Sequence, residues 1–579
     1  MAEQLPLLTQ YERIKSGHRD EILFFRLGDF YEMFFSDAVE ASSILNLTLT
    51  HRQDAPMCGV PHHAARGYIA RLLRAGKKVA ICEQMAPPGK GKGIIERAVV
   101  EVVTPGSVVD DDYLVSGVNN FLVAFGAFGE RLAFAYTDAS TGELVATSFP
   151  LTDHDALGRE LFRLAPREAI VRESLLGRDS IAALIEEHPA MVLNRLPDWT
   201  FSVERGWETL IRHFGTKSLR GFGFEDDDPA CAAAGALLDY VRESMQAAPS
   251  HIRTLRSAVD DEYVIIDEAS QKNLEIDRNL RDGSSAFTLF DVVNQTRTPM
   301  GARMLRQRLQ RPLRAISSIN ARLDEVECLY MNQRLLERVR GMLGNCRDLE
   351  RLAARIAMGR ASPRDFLAAA DTVSSALLVA AELQSASYPG HLWTTEDRTD
   401  LESFAGKIRR AIAPEPAMSP ADGPVMHDGW DSRLDSLRAL KADAHGVLEA
   451  YLEEERAATG LSGLRVRYNR IIGYYLELNK ASAGQAPAHF IRRQSISTGE
   501  RFTTERLGQL ESDINGASER IVELEKNLFD ALCKELKPVA SLVSDTAAAL
   551  AAVDCAASGA WTATDRKSTR LNSSHESPS

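Results

Sequence analysis

No two of the seven cysteines (Cys58, Cys82, Cys231, Cys328, Cys346, Cys533 and Cys555) form a C-x-x-C pair. That spacing supports neither a zinc site nor a thiol-redox motif. An odd, scattered set fits a reducing compartment. A nucleotide-binding loop is also missing. The Gly-Lys pairs at 76–77, 89–90, 91–92 and 406–407 are never followed by Ser or Thr, so no G-x-x-x-x-G-K-[ST] exists. Met1 to Gln10 lacks a basic region followed by an apolar core, so no signal peptide is expected. No apolar run approaches the length of a bilayer span, and the expected location is the cytoplasm with no membrane partner. No Ser-His-Asp arrangement stands out, and solenoid repeats are not evident. Net positive charge is lacking too. A balance of −13 argues against a wholly basic nucleic-acid coat, but not against local basic surfaces.

What is present points to several domains. A chain of 579 residues, 44% hydrophobic and 26% charged, has the composition of ordinary globular protein and a length for roughly three to five domains. The first part reads as mixed α/β. A helix is expected at 8–15, then a strand from Ile22 to Arg26. Ser36 is expected to cap a helix reaching Leu45, with Asp37 near its positive end. Strands are expected at Leu47–Thr50, Lys78–Cys82 and Ile94–Val103, a rigid loop at Pro56–Pro61, a helix at 63–75 and a flexible basic loop at 87–93. Between 63 and 102 stand eight Lys/Arg and three acids. The glycines and lysines at 89–93 have the wrong spacing for an ATP cradle and suit a nucleic-acid phosphate or simple flexibility.

The stretch Arg26-Leu27-Gly28-Asp29-Phe30-Tyr31-Glu32-Met33-Phe34 is the most informative. In a strand, Phe30 and Glu32 share one face and Tyr31 takes the other. An aromatic wedge beside a lone carboxylate makes a poor core face. An exposed Phe can stack in a weakened base step, and the carboxylate can hydrogen-bond the displaced base. The plainer reading is an ordinary strand with Phe30 in a core.

A second α/β domain follows, with strands 121–125, 131–137 and 144–149 and a helix at 154–164. Asp138 and Glu143 suit a hairpin turn better than a metal site. The adjacent His62 and His63 point about 100° apart on a helix and suit capping or the surface better than metal binding. From about 229 to 385 helical patterns dominate, interrupted by Pro299, Pro312 and Pro363. A helix is expected near 398–412. Leucine-rich seams at 434–452 and 507–528 predict two long amphipathic helices. The insert between them alternates like β structure and carries eight Lys/Arg against three acids from 461 to 506. Two helices carrying a remote basic tip, with a second basic surface near Phe30, favour DNA held through its phosphates. Residues 565–579 are polar, Ser-rich and aperiodic, and read as a disordered or non-native tail.

Gly28 to Phe34 resembles the mismatch-reading motif of the MutS family of DNA mismatch-repair proteins. The resemblance continues through Pro56-Met57-Cys58-Gly59-Val60-Pro61-His62-His63, Ala80-Ile81-Cys82-Glu83-Gln84 and Thr104-Pro105-Gly106. It extends through Asp348-Leu349-Glu350-Arg351-Leu352, Gly359-Arg360-Ala361-Ser362-Pro363 and Gly473-Tyr474-Tyr475. It implies a multidomain α/β plus all-α chain: a mismatch-binding domain at 1–113, a linker at 114–119 and a ribonuclease-H-like connector at 120–245. A helical core and lever would occupy 246–429, a β clamp on a long helical arm 430–511, and a returning lever helix 512–564. Phe30 would stack on a mispaired base and Glu32 hydrogen-bond it. Met57, His62, Lys90, Lys92, Arg465, Arg467, Asn469, Arg492 and Arg493 are candidate DNA contacts. The implied partners are duplex DNA with mispaired or unpaired bases, a second copy and a MutL-type repair protein. The family's DNA-dependent ATPase domain, with its ATP and Mg, would begin just past 560, where the odd tail stands. No catalysis, cofactor or metal is therefore expected of these residues. A general architectural duplex binder is the alternative, and a metal-dependent nuclease using Asp138 a third.

Overall fold

A computed structural model describes residues 6–85, 95–258, 262–391, 393–469, 473–480, 482–496 and 499–573. The chain forms two compact units. One comprises Met1–Arg360, Asp371–Glu402 and Val539–Ser579; the other comprises Ala361–Ala370 and Ser403–Pro538.

The first unit begins with α1 (Pro6–Lys15), β1 (Glu21–Leu27), β2 (Phe30–Phe34), α2 (Phe35–Leu45), β3 (Thr50–Arg52) and β4 (Ala55–Pro61). Then come α3 (Ala65–Arg74), β5 (Lys78–Gln84) and β6 (Arg97–Val103). The strands make one sheet in the order β3-β4-β2-β1-β5-β6. Only β1 and β5 run parallel. Alternation sorts the side chains. Ile22, Phe24, Tyr31, Met33 and Val60 pack beneath α2 and α3. Leu23, Phe25 and Phe34 pack on the opposite face against Leu8 and Tyr11 of α1. The Tyr11 ring meets Phe25 and Phe34 edge-on, with centroids 5.5 and 5.1 Å away. Burying each such ring contributes roughly 1.5–3 kcal/mol.

The structure departs from three local expectations. Ser36 does not cap α2. The N-cap is Phe34, with no side-chain cap, while Asp37 is buried and accepts from Tyr11 Oη at 2.7 Å and Leu23 N at 3.0 Å. Lys15 Nζ lies 2.8 Å from that carboxylate, so Asp37 ties α1, β1 and α2 together. The strand expected at Leu47–Thr50 is β3, three residues later. The expected loop Pro56–Pro61 lies within strand β4, whose prolines stand near its ends, where a missing N–H costs the ladder least.

The second sheet contains β7 (Phe121–Phe128), β8 (Arg131–Asp138), β9 (Glu143–Pro150), β10 (Glu168–Arg172), β11 (Val192–Leu196) and β12 (Arg256–Ser257). Its order is β11-β10-β7-β8-β9-β12. An antiparallel meander, β7 to β9, is flanked by parallel strands. Helices α4 (His154–Leu164) and α5 (Asp179–Glu186) cover one face, and α6 (Val203–Phe214) and α7 (Ala230–Met245) the other. α6 and α7 cross at two glycines: a Cβ on Gly235 would lie 2.3 Å from Gly206 Cα.

Helices follow: α8 (Glu268–Asn273), α9 (Leu289–Val293), α10 (Pro299–Gln310), α11 (Ile316–Met331), α12 (Gln333–Leu343), α13 (Leu349–Met358), α14 (Pro363–Ser385) and α15 (Thr395–Ala411). Pro299 occupies the first turn of α10, behind a Thr298 cap. Arg351 of α13 is almost wholly buried. It donates to the carbonyls of Val118 at 2.8 Å and Val115 at 3.4 Å, and its Nε donates to Ser140 Oγ at 3.2 Å. Arg355 Nη1 donates to Asp111 at 2.7 Å. One helix thereby holds the segment between the first two sheets.

The second unit contains α16 (Ser432–Ala442), α17 (Ala444–Thr459), β13 (Arg465–Asn469), β14 (Gly473–Asn479), β15 (Ile491–Ile496), β16 (Gly499–Thr503) and α18 (Glu505–Leu536). The seam expected as one helix over 434–452 breaks at Asp443, whose carboxylate caps α17 by accepting from Gly446 N at 3.0 Å. The four strands form an antiparallel sheet, β13-β14-β16-β15. Leu476, Leu478 and Phe502 pack from one face onto Leu448, Tyr451, Leu507 and Leu510 of the helices.

The last helix, α19 (Ala540–Ser573), returns to the first unit. Its buried Asp554 accepts from Thr298 N at 2.8 Å and from Arg297 N at 2.9 Å. The helical backbone runs on through 565–573, where disorder is expected from composition. Extending an existing helix is far easier than nucleating one. Two helical stretches, Pro363–Ser385 and Gly516–Thr564, are long and apolar enough by composition to cross a bilayer, contrary to the expectation that none is. Half or more of each apolar window is buried against the rest of the protein, as in a core helix.

Candidate nucleic-acid interface

The β1–β2 hairpin turns in two residues, Gly28 and Asp29, with Leu27 paired opposite Phe30. Gly28 has φ +58, the positive φ that a two-residue hairpin turn needs at its first residue and that glycine adopts without strain. The turn sets the phase of β2. Tyr31 and Met33 go under α2 and α3; Phe30, Glu32 and Phe34 take the other face. α1 covers only the Phe34 end, so Phe34 is fully buried while Phe30 remains 47% exposed.

Glu32 lies between them. It pairs across the sheet with Phe25 on β1 and Gly59 on β4. A Cβ at Gly59 would lie 3.3 Å from the Tyr31 carbonyl and 3.5 Å from Glu32 Cγ, so the two strands run close there. Arg52 Nη1 donates to Glu32 Oε2 at 3.0 Å. Burial pushes the Glu32 carboxyl above its ordinary pKa, and the guanidinium of Arg52 pulls against that without reversing it. Glu32 therefore holds a proton more readily than a free glutamate. Arg97 completes the face. Its guanidinium lies 4.8 Å from the Phe25 ring centroid and donates to Arg26 O at 2.6 Å and Gln10 Oε1 at 3.0 Å.

Met57 is opposite Phe34 and half-buried beside the α1 cluster, on the same face as Phe30 but deeper. His62 lies at the same end of the sheet, but on its other face. Its ring is 5.3 Å from that of Tyr31, and its Nε2 lies 3.9 Å from Glu83, which also accepts from Tyr31 Oη. Lys90 and Lys92 lie outside the described residues.

In the second unit the outward face of the β13–β16 sheet is basic. Arg465 and Arg467 are exposed on the edge strand β13, opposite Glu477 and Tyr475. Arg467 Nε lies 3.8 Å from Glu477. Asn469 ends the strand, paired with Gly473. Arg501 lies over the Tyr475 ring at 4.5 Å and donates to Gln494 at 2.8 Å. Arg492 pairs with Glu500, and the register shifts between Arg492 and Gln494, leaving Arg493 as an exposed bulge residue. Arg52, Arg97 and Arg501 are the cations that sequence reasoning did not single out. Strand register brings Arg52 to Glu32 and Arg501 to Tyr475, while Arg97 reaches past β5 to β1 and α1.

Asp138 has another role. Its oxygens accept from Asn119 Nδ2 and Asn120 N just before β7, and from Ser140 N and Ser140 Oγ in its own turn, at 2.6–3.0 Å, and Asp138 itself is fully buried. Among the described residues no group of three or more His, Cys, Asp or Glu side chains could hold a metal ion.

Comparison with known proteins bears on all three regions. Residues 5–112 match a family profile described as MutS domain I, residues 120–253 one described as MutS domain II, and residues 269–560 one described as MutS domain III. A protein of Treponema denticola named DNA mismatch repair protein MutS is 41% identical over 545 residues, 92% of this chain and 61% of that protein. Proteins of the same name from Treponema pallidum and Borrelia hermsii are 38% and 35% identical, over 96% of this chain and 62% and 64% of theirs. The chain thus spans about three-fifths of the length of these relatives.

Proposed function

Since this chain belongs to the MutS family, we propose that it recognises mispaired or unpaired bases in duplex DNA, with Phe30 as the wedge and Glu32 as the hydrogen-bonding partner of the displaced base. The observation that carries this is the half-exposed Phe30 ring on a sheet face otherwise sealed by α1, with the Glu32 carboxyl beside it. Inserting the ring unstacks a base step, at a cost of a few kcal/mol that is lowest where a base is mispaired. Stacking returns roughly 1–3 kcal/mol. Glu32 is already biased toward its protonated form, and nearby phosphates add to that bias. It can accept from a base N–H, or carry a proton and donate to a purine nitrogen.

The 1–113 region is read as the mismatch-binding domain. The region 120–245, with its β9-β8-β7-β10-β11 order, is read as the ribonuclease-H-like connector. The basic sheet within 430–511 is read as the clamp, with Arg465, Arg467, Arg492 and Arg493 toward DNA phosphates. Pairing between copies, a MutL-type partner, action in the cytoplasm and an ATPase cycle are carried over from the family. The sequence contains no phosphate-binding loop, so recognition rather than ATP hydrolysis is assigned to these residues.

Phe30→Ala is expected to abolish preference for a mismatched over a matched oligonucleotide duplex, while salt-sensitive binding to both remains. Equal loss on the two duplexes would instead favour an architectural duplex binder.

A further inference from the structure

A cavity of about 330 Å³ opens between the second sheet and the helices α10 and α11. Five arginines line it: Arg163, Arg256, Arg308, Arg311 and Arg322. Among the described residues only Glu143 and Glu262 oppose them in the wall, and Glu143 is pushed up to about 7 by burial, so its negative charge is incomplete at neutral pH. Glu160, behind the wall, answers Arg163 at 2.5 Å and Arg311 at 3.6 Å. Arg163 still has an unmet donor. Its side chain is 5% exposed, yet its Nε has no acceptor. Arg256, Arg308 and Arg322 make no ion pair among the described residues. Burial and the neighbouring Arg308 lower the affinity of Arg322 for its proton. So many guanidinium groups around one space repel each other unless an anion sits among them.

We propose that this cavity binds a small oxyanion of the phosphate class, held by Arg163, Arg256, Arg308 and Arg322. Guanidinium groups offer paired N–H donors that match phosphate oxygens two at a time. The volume is at the lower end of small-molecule sites and exceeds what one phosphate fills. A pyrophosphate, or a phosphate carried on a nucleoside, fits it better than the bare ion.

The test is calorimetry on the full chain, without DNA, in chloride buffer titrated with inorganic phosphate, pyrophosphate or adenosine monophosphate. The expected result is a saturable rise in the thermal midpoint, larger for pyrophosphate than for phosphate and absent with added chloride at equal ionic strength. Arg308→Met with Arg322→Met should weaken binding roughly tenfold or more. Without anion its midpoint should equal or exceed that of the parent, because two like charges have been removed. A rise that does not saturate, or that the double variant keeps, overturns the proposal. So does occupancy seen only with duplex DNA. Asp260→Asn with Asp261→Asn supplies the last control, since those residues follow the Ser257–Ala258 wall in sequence. Phosphate binding that requires this change would mean that the chain's own carboxylates serve the arginines, and would also overturn it.

Discussion

Phe30 and Phe34 lie on one strand and one face, four residues apart, yet differ completely in burial. Phe34 contacts the Tyr11 ring and leaves a cavity if truncated, so Phe34→Ala is expected to cost about 3–5 kcal/mol of stability. Phe30→Ala should cost about 1 kcal/mol or less, because much of its ring already meets water. Denaturant unfolding of the two variants measures the difference. Similar costs would mean that the Phe30 ring is packed in solution, which would remove the wedge. The alternation that puts Phe30 and Glu32 on one face was legible in the sequence, because a strand has period two. Whether that face is open was not, since this depends on how far α1 reaches. Arg52 was equally hidden. It is twenty residues from Glu32, and only the β3–β4–β2 register brings the two together.

Among the elements, β13 carries the sharpest expectation. Arg465 and Arg467 are exposed on an edge strand whose other face is sealed against α17 and α18. Replacing both with Glu should weaken binding to matched and mismatched duplexes alike and lower the salt slope of log K by about 2. Filter binding across a salt series reads this; a loss confined to mismatched DNA would assign the strand a reading role instead. The existence of this basic β insert was legible from its alternation and its flanking leucine seams. The break in the first seam was written there too, since Asp443 stands where an N-cap belongs, but the apolar spacing on both sides keeps one phase and conceals it. β4 was misread as a loop because proline weighs heavily in any local reading, while its pairing with β2 is a long-range fact.

For the larger molecule the informative residue is Arg351, which holds the carbonyls of Val115 and Val118 from inside α13. Arg351→Met keeps the stem and removes the donors, leaving two carbonyls short of a partner at roughly 1–3 kcal/mol each. Limited proteolysis should then cut first within 114–119, with the first domain released intact. A cleavage pattern like that of the parent would mean that the segment is held by something else. The sequence reads this segment as a linker. It did not show what fastens it, because an arginine more than two hundred residues away supplies the contact.

The two-residue turn at Gly28 and Asp29 has a kinetic consequence. A ring mounted on the first residue after so short a hairpin, on a strand paired on both sides, needs little ordering to act as the proposed wedge. Matched and mismatched duplexes should therefore be met at nearly the same association rate, set by charge and salt. They should differ in how long they stay, the mismatched complex outliving the matched one. Stopped-flow mixing followed by competitor chase separates these rates; discrimination appearing mainly in association would mean that the ring is not preset.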